Sequence, residues 1–393
     1  MTKTNPLLIV ILALGVFGII TTEMGIIGVL PQVVQKFHIT TSAAGILVSI
    51  FALVVALSGP FITLLSSGIN RKFILLISVL MFAVSNVVYI FTMSFNVMVV
   101  FRIIPALAHS AFFSVALVVA ASLVSPEKSS QAVTKVFTGI TAGFAFGVPL
   151  TSYLAERISV EVAFMFGAII SIIAFFGILI WLPSMPVKEK MTYGQQLSVL
   201  RKPALWLNIA SVICLFAAMF SVYSYFAEYL GQVTQVNGSW ISIMLFVFGL
   251  VMILGNFIFG AFVQKNIALT ATLFPLILLL IYMMLYFLGI HFIPMFVLIF
   301  LWGIVHAGGL IIGQSWLIIE SQSAPEFGNS LFITFANLGI TIGTTIGGWF
   351  LLQWDVRQLV WSGIGFTVLA FLLIIIRIKV YGKPLAQKLN LHP

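Results

Sequence analysis

Charge is what this sequence has least of. Only 7% of its 393 residues are Asp, Glu, Lys or Arg, while 62% are hydrophobic; soluble domains carry about a quarter charged residues. Lipid is the solvent such a chain is made for. Acid is scarcest, nine residues against 18 basic ones, and cysteine is represented once, by Cys214. A lone thiol excludes an internal disulfide, a thiol redox pair and a cysteine metal cluster. The longest polar stretch runs only from Pro183 to Pro203, so no soluble domain is expected. The first apolar segment, 7–30, is too long for a signal-peptide core and has no small-residue cleavage site, so it is read as retained.

What is present is written twice. Gly139, Gly143 and Gly147 recur as Gly339, Gly343 and Gly347, the loop pair Pro126-Glu127 recurs as Pro325-Glu326, and His109 is echoed by His306. A window of spanning length, about 20 residues, finds apolar segments at 7–30, 43–65, 73–93, 97–122, 132–154, 162–182, 204–227, 240–263, 268–290, 293–319, 329–351 and 358–380. The expected fold is an all-α polytopic membrane protein, twelve transmembrane helices in two pseudosymmetric six-helix bundles. The bundles are residues 1–182 and 204–393, the second ending in a short tail, with a linker at 183–203. Repeated bundles of this kind place a solute site between the halves, which points to a transporter.

The charges mark topology. Of the 18 Lys and Arg, Arg102 lies inside a span, and Lys36, Arg157 and Arg357 fall in the loops opposite the N-terminus. The remaining fourteen fall on the N-terminal side, a positive-inside asymmetry that predicts both termini and the linker in the cytoplasm. Trp181, Trp206, Trp240, Trp349, Trp354 and Trp361 fall at span ends, as interfacial anchors do. Most of the 37 phenylalanines read as lipid-facing or core packing.

Two charged residues stand within spans, where burial is expensive and function is the default reading. Glu23 in the first span lies roughly 10 Å from its outer end, and Arg102 in the fourth roughly 8 Å from its own, at about 1.5 Å per residue. At matching depth an acid and a base can satisfy one another. They are therefore either a static ion pair or a carboxylate that loads and releases a proton as Arg102 moves. Arg102, Ala106, His109 and Phe113 share one helical face, which brings His109 near mid-membrane with His306 as its counterpart. Both histidines are expected on a cavity wall, although single intramembrane histidines often serve packing alone. Glu228 falls at the outer end of the seventh span, within reach of water. Each glycine triplet makes a smooth helix stripe, with Pro149 bending the fifth span just beyond the first. The stripes read as tight packing or, more sharply, as surfaces that open and seal one side.

These residues resemble the major facilitator superfamily, in its drug/proton antiporter branch, near the bacterial sugar, purine and chloramphenicol exporters. Thr21-Thr22-Glu23-Met24 with Gly28-Val29-Leu30-Pro31 is similar to the acidic opening motif of that branch. Arg102-Ile103, Ala106, Ala108-His109 and Phe112-Phe113-Ser114 resemble its fourth-span arginine motif. Gly143 with Gly147-Val148-Pro149-Leu150 resembles the fifth-span antiporter signature, and Asn337-Leu338-Gly339-Ile340 the eleventh-span pattern. One departure stands out. Between spans two and three, Gly59-Pro60 leads through Thr63, Ser66 and Ser67 to Asn70-Arg71-Lys72, without the acidic residue of the superfamily's loop.

The resemblance implies a secondary active exporter that exchanges protons for a small organic solute, a drug, sugar or nucleoside-like molecule, in the bacterial cytoplasmic membrane. Proton coupling is assigned to Glu23 and Arg102. The cavity is assigned to His109, His306, Phe113, Tyr223, Trp302, Gln314 and Asn337. Gating is assigned to Gly139, Gly143, Gly147, Pro149, Gly339, Gly343 and Gly347. A proton-coupled uptake symporter of the same fold is the alternative. A polytopic membrane enzyme is a more distant one, since no catalytic constellation is visible. Expected partners are a small-molecule substrate, protons and lipid, for a monomer that needs no cofactor, metal or nucleic acid.

Overall fold

The computed structural model describes residues 6–66, 68–125, 129–186, 198–321 and 325–388. Much of the 183–203 linker, the Pro126-Glu127 pair, Ser67 and several inner-loop lysines lie outside the described residues.

Among the described residues the chain is helical and has no strands. Spans one to four are Pro6–Gly28, Thr41–Ser66, Arg71–Phe91 and Phe95–Ser122. Span five runs from Ser129 to Arg157 with a π-helical turn, Gly143–Gly147, in its middle. Pro149 explains that turn. It has no N–H to give to the carbonyl four residues back and its ring crowds that carbonyl, so the chain widens locally and Val148 N–H reaches the Gly143 carbonyl instead. Span six is Val160–Trp181. Span seven is Pro203–Tyr223, continued by a short helix, Phe226–Gln232.

Gly238–Leu288 is one helical run of 51 residues, roughly 75 Å at 1.5 Å per residue and far more than one bilayer needs. Asn266, at φ −158° and ψ 93°, breaks it into spans eight and nine. Spans ten to twelve are Phe292–Ile318, Pro325–Gln353 and Leu359–Lys388. Twelve spans are thus present, with spans eight and nine joined at a kink rather than a loop.

Spans one to six pack chiefly among themselves and so do seven to twelve, while the halves meet mainly along spans two and eleven and spans five and eight. The glycine stripes serve packing inside each half. A side chain at Gly139, Gly143 or Gly147 would strike Ala13, Val16, Ile20 or Thr21 of span one. At Gly339, Gly343 or Gly347 it would strike Ile213, Phe216, Ala217 or Ser221 of span seven. In this conformation each stripe packs inside its own half and neither faces the opposite one. The outer face carries exposed Phe61, Leu65 and Ile293, suited to lipid. The six tryptophans expected at span ends are all exposed, whereas Trp302 and Trp316 are fully buried.

Candidate functional site

Glu23 and Arg102 come together, but not as an ion pair. The Arg102 guanidinium donates to three backbone carbonyls, those of Thr22 at 2.7 Å, Glu23 at 2.9 Å and Leu47 at 2.9 Å. Phe51 offers it a ring face 4.8 Å away. The Glu23 carboxylate turns instead to His109, whose Nε2 lies 3.1 Å from Oε2. Depth along a helix predicts proximity, whereas the direction of each side chain selects the partner. Span one is held at the same level from its other side, where Asn86 donates to the Thr22 hydroxyl at 2.8 Å.

Glu23 and His109 border a cavity of about 680 Å³ between the halves, a volume ordinary for small-molecule sites. From the first half come Ile20, Met24, Phe113, Leu117, Phe137, Thr138, Thr141, Phe144 and Phe146. From the second come Phe216, Phe220, Asn256, Phe257, Gln314, Asn329, Phe332 and Asn337. Among the described residues Glu23 and His109 are the titratable groups on this wall. The rest is apolar and aromatic, with polar contacts supplied by Asn256, which donates to Thr141 at 3.0 Å, and by Gln314, which donates to Asn329 at 3.3 Å. The cavity extends toward the side of the membrane that carries the chain termini, because Leu117, Phe137, Phe257, Gln314 and Asn329 lie toward the ends of their spans on that side.

The opposite side is closed by contacts across the halves. Ser152 meets Ser242 at 3.0 Å, Thr341 donates to the Ser49 carbonyl at 3.3 Å, and Thr41 donates to Glu228 at 3.1 Å. Glu228, expected within reach of water, is buried there and also accepts from Gln232. Spans one and seven are both broken on this side, at Val29 (φ −110°, ψ 7°) and Tyr225 (φ −115°, ψ 19°), and the short helices that follow pack on one another.

His109, Phe113, Gln314 and Asn337 line the cavity as expected from their positions; His306, Tyr223 and Trp302 do not. They stand one layer behind Phe144 and Phe220, fully buried. Sequence reasoning missed Asn256, Asn329 and Phe332. A signal existed for two of them: Asn329, Phe332, Ile333, Ala336, Asn337 and Ile340 follow helical spacing on one face of span eleven. A second buried charge cluster was also missed. Arg377 donates to Glu320 at 2.6 Å and to Asn208 at 2.9 Å and lies over Trp316, joining spans seven, ten and twelve. Asn70, in the loop that lacks the acidic residue, caps span three through the Lys72 N–H and binds Ser184 at 2.7 Å.

Two six-helix halves around a central cavity define a membrane carrier, and the sequence match agrees. The chain belongs to the Major Facilitator Superfamily, which matches residues 12–327. It is 28% identical over 337 residues to the inner membrane transport protein YdhP of Escherichia coli strain K12, covering 86% of this chain and 87% of that one. It is 28% identical over 356 residues to the MFS-type transporter YfhI of Bacillus subtilis strain 168, covering 89% of each. Among solved structures, a bacterial homologue of the lysosomal transporter Spinster, titled inward-facing and occupied, aligns with TM-score 0.76 at 16% identity over 98% of both chains. A peptide transporter, POT, aligns with TM-score 0.78 at 13% identity over 95% of this chain and 94% of that one. These likenesses show the fold, and the protein is a multi-pass membrane transporter.

Proposed function

We propose that this transporter exports a small, neutral or weakly charged organic solute in exchange for protons, by alternating access of the central cavity. The observation that carries the reading is the Glu23–His109 contact at 3.1 Å on the cavity wall. A carboxylate accepts and an imidazole nitrogen donates in such a contact, which gives a proton two groups to bind where solute must pass. Solute entering from the cytoplasm displaces the proton, and a proton entering from outside readies the site for release.

Arg102 fixes this pair by holding the carbonyls of Thr22 and Glu23. The excess of basic residues on the terminal side supports a cytoplasmic location for both termini, so the conformation described is the one loaded from the cytoplasm. The mainly aromatic wall, with one acid already engaged by His109, fits an uncharged or singly charged solute better than a dication. The monomer is taken as the working unit, because the cavity is complete within one chain.

The test uses inverted membrane vesicles with an imposed proton gradient and a panel of labelled sugars, nucleosides and drugs. At least one compound should accumulate in a gradient-dependent way, and Glu23→Gln should abolish that accumulation while leaving downhill exchange. Accumulation that persists undiminished in Glu23→Gln overturns the coupling role.

A further inference from the structure

The two halves present repeat-related faces to the cavity. On span four His109, Phe113 and Leu117 follow one another at every fourth residue, and on span ten their equivalents are His306, Leu310 and Gln314. Five of these six line the cavity. His306 is the exception.

It shares a helix face with Leu310 and Gln314, yet it is sealed off by a cage of rings: Tyr223 with centroids 4.7 Å away, Phe248 at 5.3 Å, Phe220 at 5.6 Å, Trp302 at 6.3 Å and Phe144 at 6.4 Å. Among the described residues neither ring nitrogen of His306 has a hydrogen-bond partner, nor does the neighbouring Trp302 indole N–H. Three orphan polar atoms in an aromatic cage cost stability that an apolar residue at 306 would avoid. This conformation makes no use of them.

The cage has one wall from the other half. Phe220, Tyr223, Phe248 and Trp302 belong to the second half, whereas Phe144 is carried on the π turn of span five in the first. Phe144 lies at a crossing of the halves, since its carbonyl and Ala145 press on Gly249 of span eight. Movement of one half against the other therefore shifts Phe144 relative to His306 and leaves the rest of the cage in place.

We propose that His306, together with the Trp302 indole N–H, is a concealed hydrogen-bonding subsite for the transported solute, uncovered when Phe144 withdraws. It takes a neutral group that donates and accepts at once, a hydroxyl or a carboxamide. A neutral imidazole offers one donor and one acceptor nitrogen and the indole adds a donor, while the cage supplies no charge to balance an ionic group. The proposal rests on the alternating-access reading and deepens it: solute is gripped by His306 in one state and meets the ring of Phe144 in the other.

The test reads His306 directly. Ser152→Cys and Ser242→Cys in a Cys214→Ser background, oxidised to a disulfide, hold the present closure; reduction frees it. Diethyl pyrocarbonate modification of His306, followed by mass spectrometry with His38 and His291 as internal references, compares the two forms of one protein. His306 should react about tenfold or more slowly in the oxidised form, because reactivity scales with the population of the uncovered state. Equal rates in the two forms, fast or slow, overturn the proposal. In the reduced form sucrose, thymidine or nicotinamide should slow the modification, and protection by benzoate or tetraphenylphosphonium alone, or by no probe, overturns the assignment of a neutral group. No proton gradient enters this assay. Coupling through Glu23 can thus fail in vesicles while uncovering of His306 stands, and the reverse.

Discussion

Ser152 of span five and Ser242 of span eight share a hydroxyl hydrogen bond of 3.0 Å across the two halves. A disulfide requires Cβ atoms about 3.5–4.5 Å apart, and side chains whose γ atoms already touch come close to that without large backbone movement. The cysteine pair at 152 and 242, with Cys214→Ser, should therefore crosslink on mild oxidation and stop transport. Reductant should restore it. Solute flux in vesicles, read before and after reduction, checks this, and full activity of the crosslinked protein would mean that this side need not open.

Arg102 binds the backbone of Glu23 and not its carboxylate, so changing that carboxylate leaves its three acceptors in place. In thermal unfolding, Arg102→Ala and Glu23→Gln should couple only at the low end of the range for residues in contact, about 0.5 kcal/mol, because Glu23→Gln leaves in place the carbonyl that Arg102 holds. Arg102→Lys keeps the charge but not the fork that reaches three carbonyls. Charge-assisted hydrogen bonds contribute about 1.5–3 kcal/mol each, so it should still lose stability. A strong coupling energy between Arg102 and Glu23 would argue for an ion pair in another state.

The second glycine stripe gives a stability prediction in place of a gating one. A methyl group at Gly343 meets the Ala217 backbone of span seven, and overpacking of this sort costs about 1–3 kcal/mol. Gly343→Ala should lower the unfolding temperature in detergent. Unchanged stability with altered transport would favour the gating reading.

Arg377 and Glu320 form a buried pair at 2.6 Å. Removing one partner leaves a charge unbalanced, typically at about 3–5 kcal/mol, whereas apolar replacement of both is often tolerated. Arg377→Ala should sharply reduce folded yield, measured by fluorescence-detected size exclusion, and Arg377→Met with Glu320→Leu should recover much of it. Equal losses in the single and double variants would assign the pair a role beyond burial.

Hydropathy made the spans legible, because twenty apolar residues have one comfortable place to be. It could not show that spans eight and nine are joined by a kink at Asn266, since a break in φ and ψ leaves no trace in apolar content. The repeat located the histidines by depth and missed their surroundings: His109 meets the cavity and His306 does not, because Phe144 and Phe220 fill the space in front of it. Counting charges placed Arg377 among the residues that mark topology. Its burial depends on Glu320 and Asn208, which lie 57 and 169 residues away in the chain, a relationship no local pattern encodes. The break at Tyr225 is equally silent, whereas the one at Val29 is flanked by Gly28 and Pro31, which ordinarily end one helix and begin the next.

Fastened to three carbonyls of the first half, Arg102 carries its positive charge with the helices that hold it. Such a charge does not cross the field independently, and on the proposed cycle the charge that crosses is decided by Glu23, His109 and the solute. Each elementary charge moved through the membrane potential is worth about 2.3 kcal/mol per 100 mV. A neutral solute exchanged for one proton would thus be driven by voltage as well as by pH, whereas a monocation exchanged for one proton would be indifferent to voltage. By tying its permanent charge to the backbone, the protein leaves its electrical signature to its cargo.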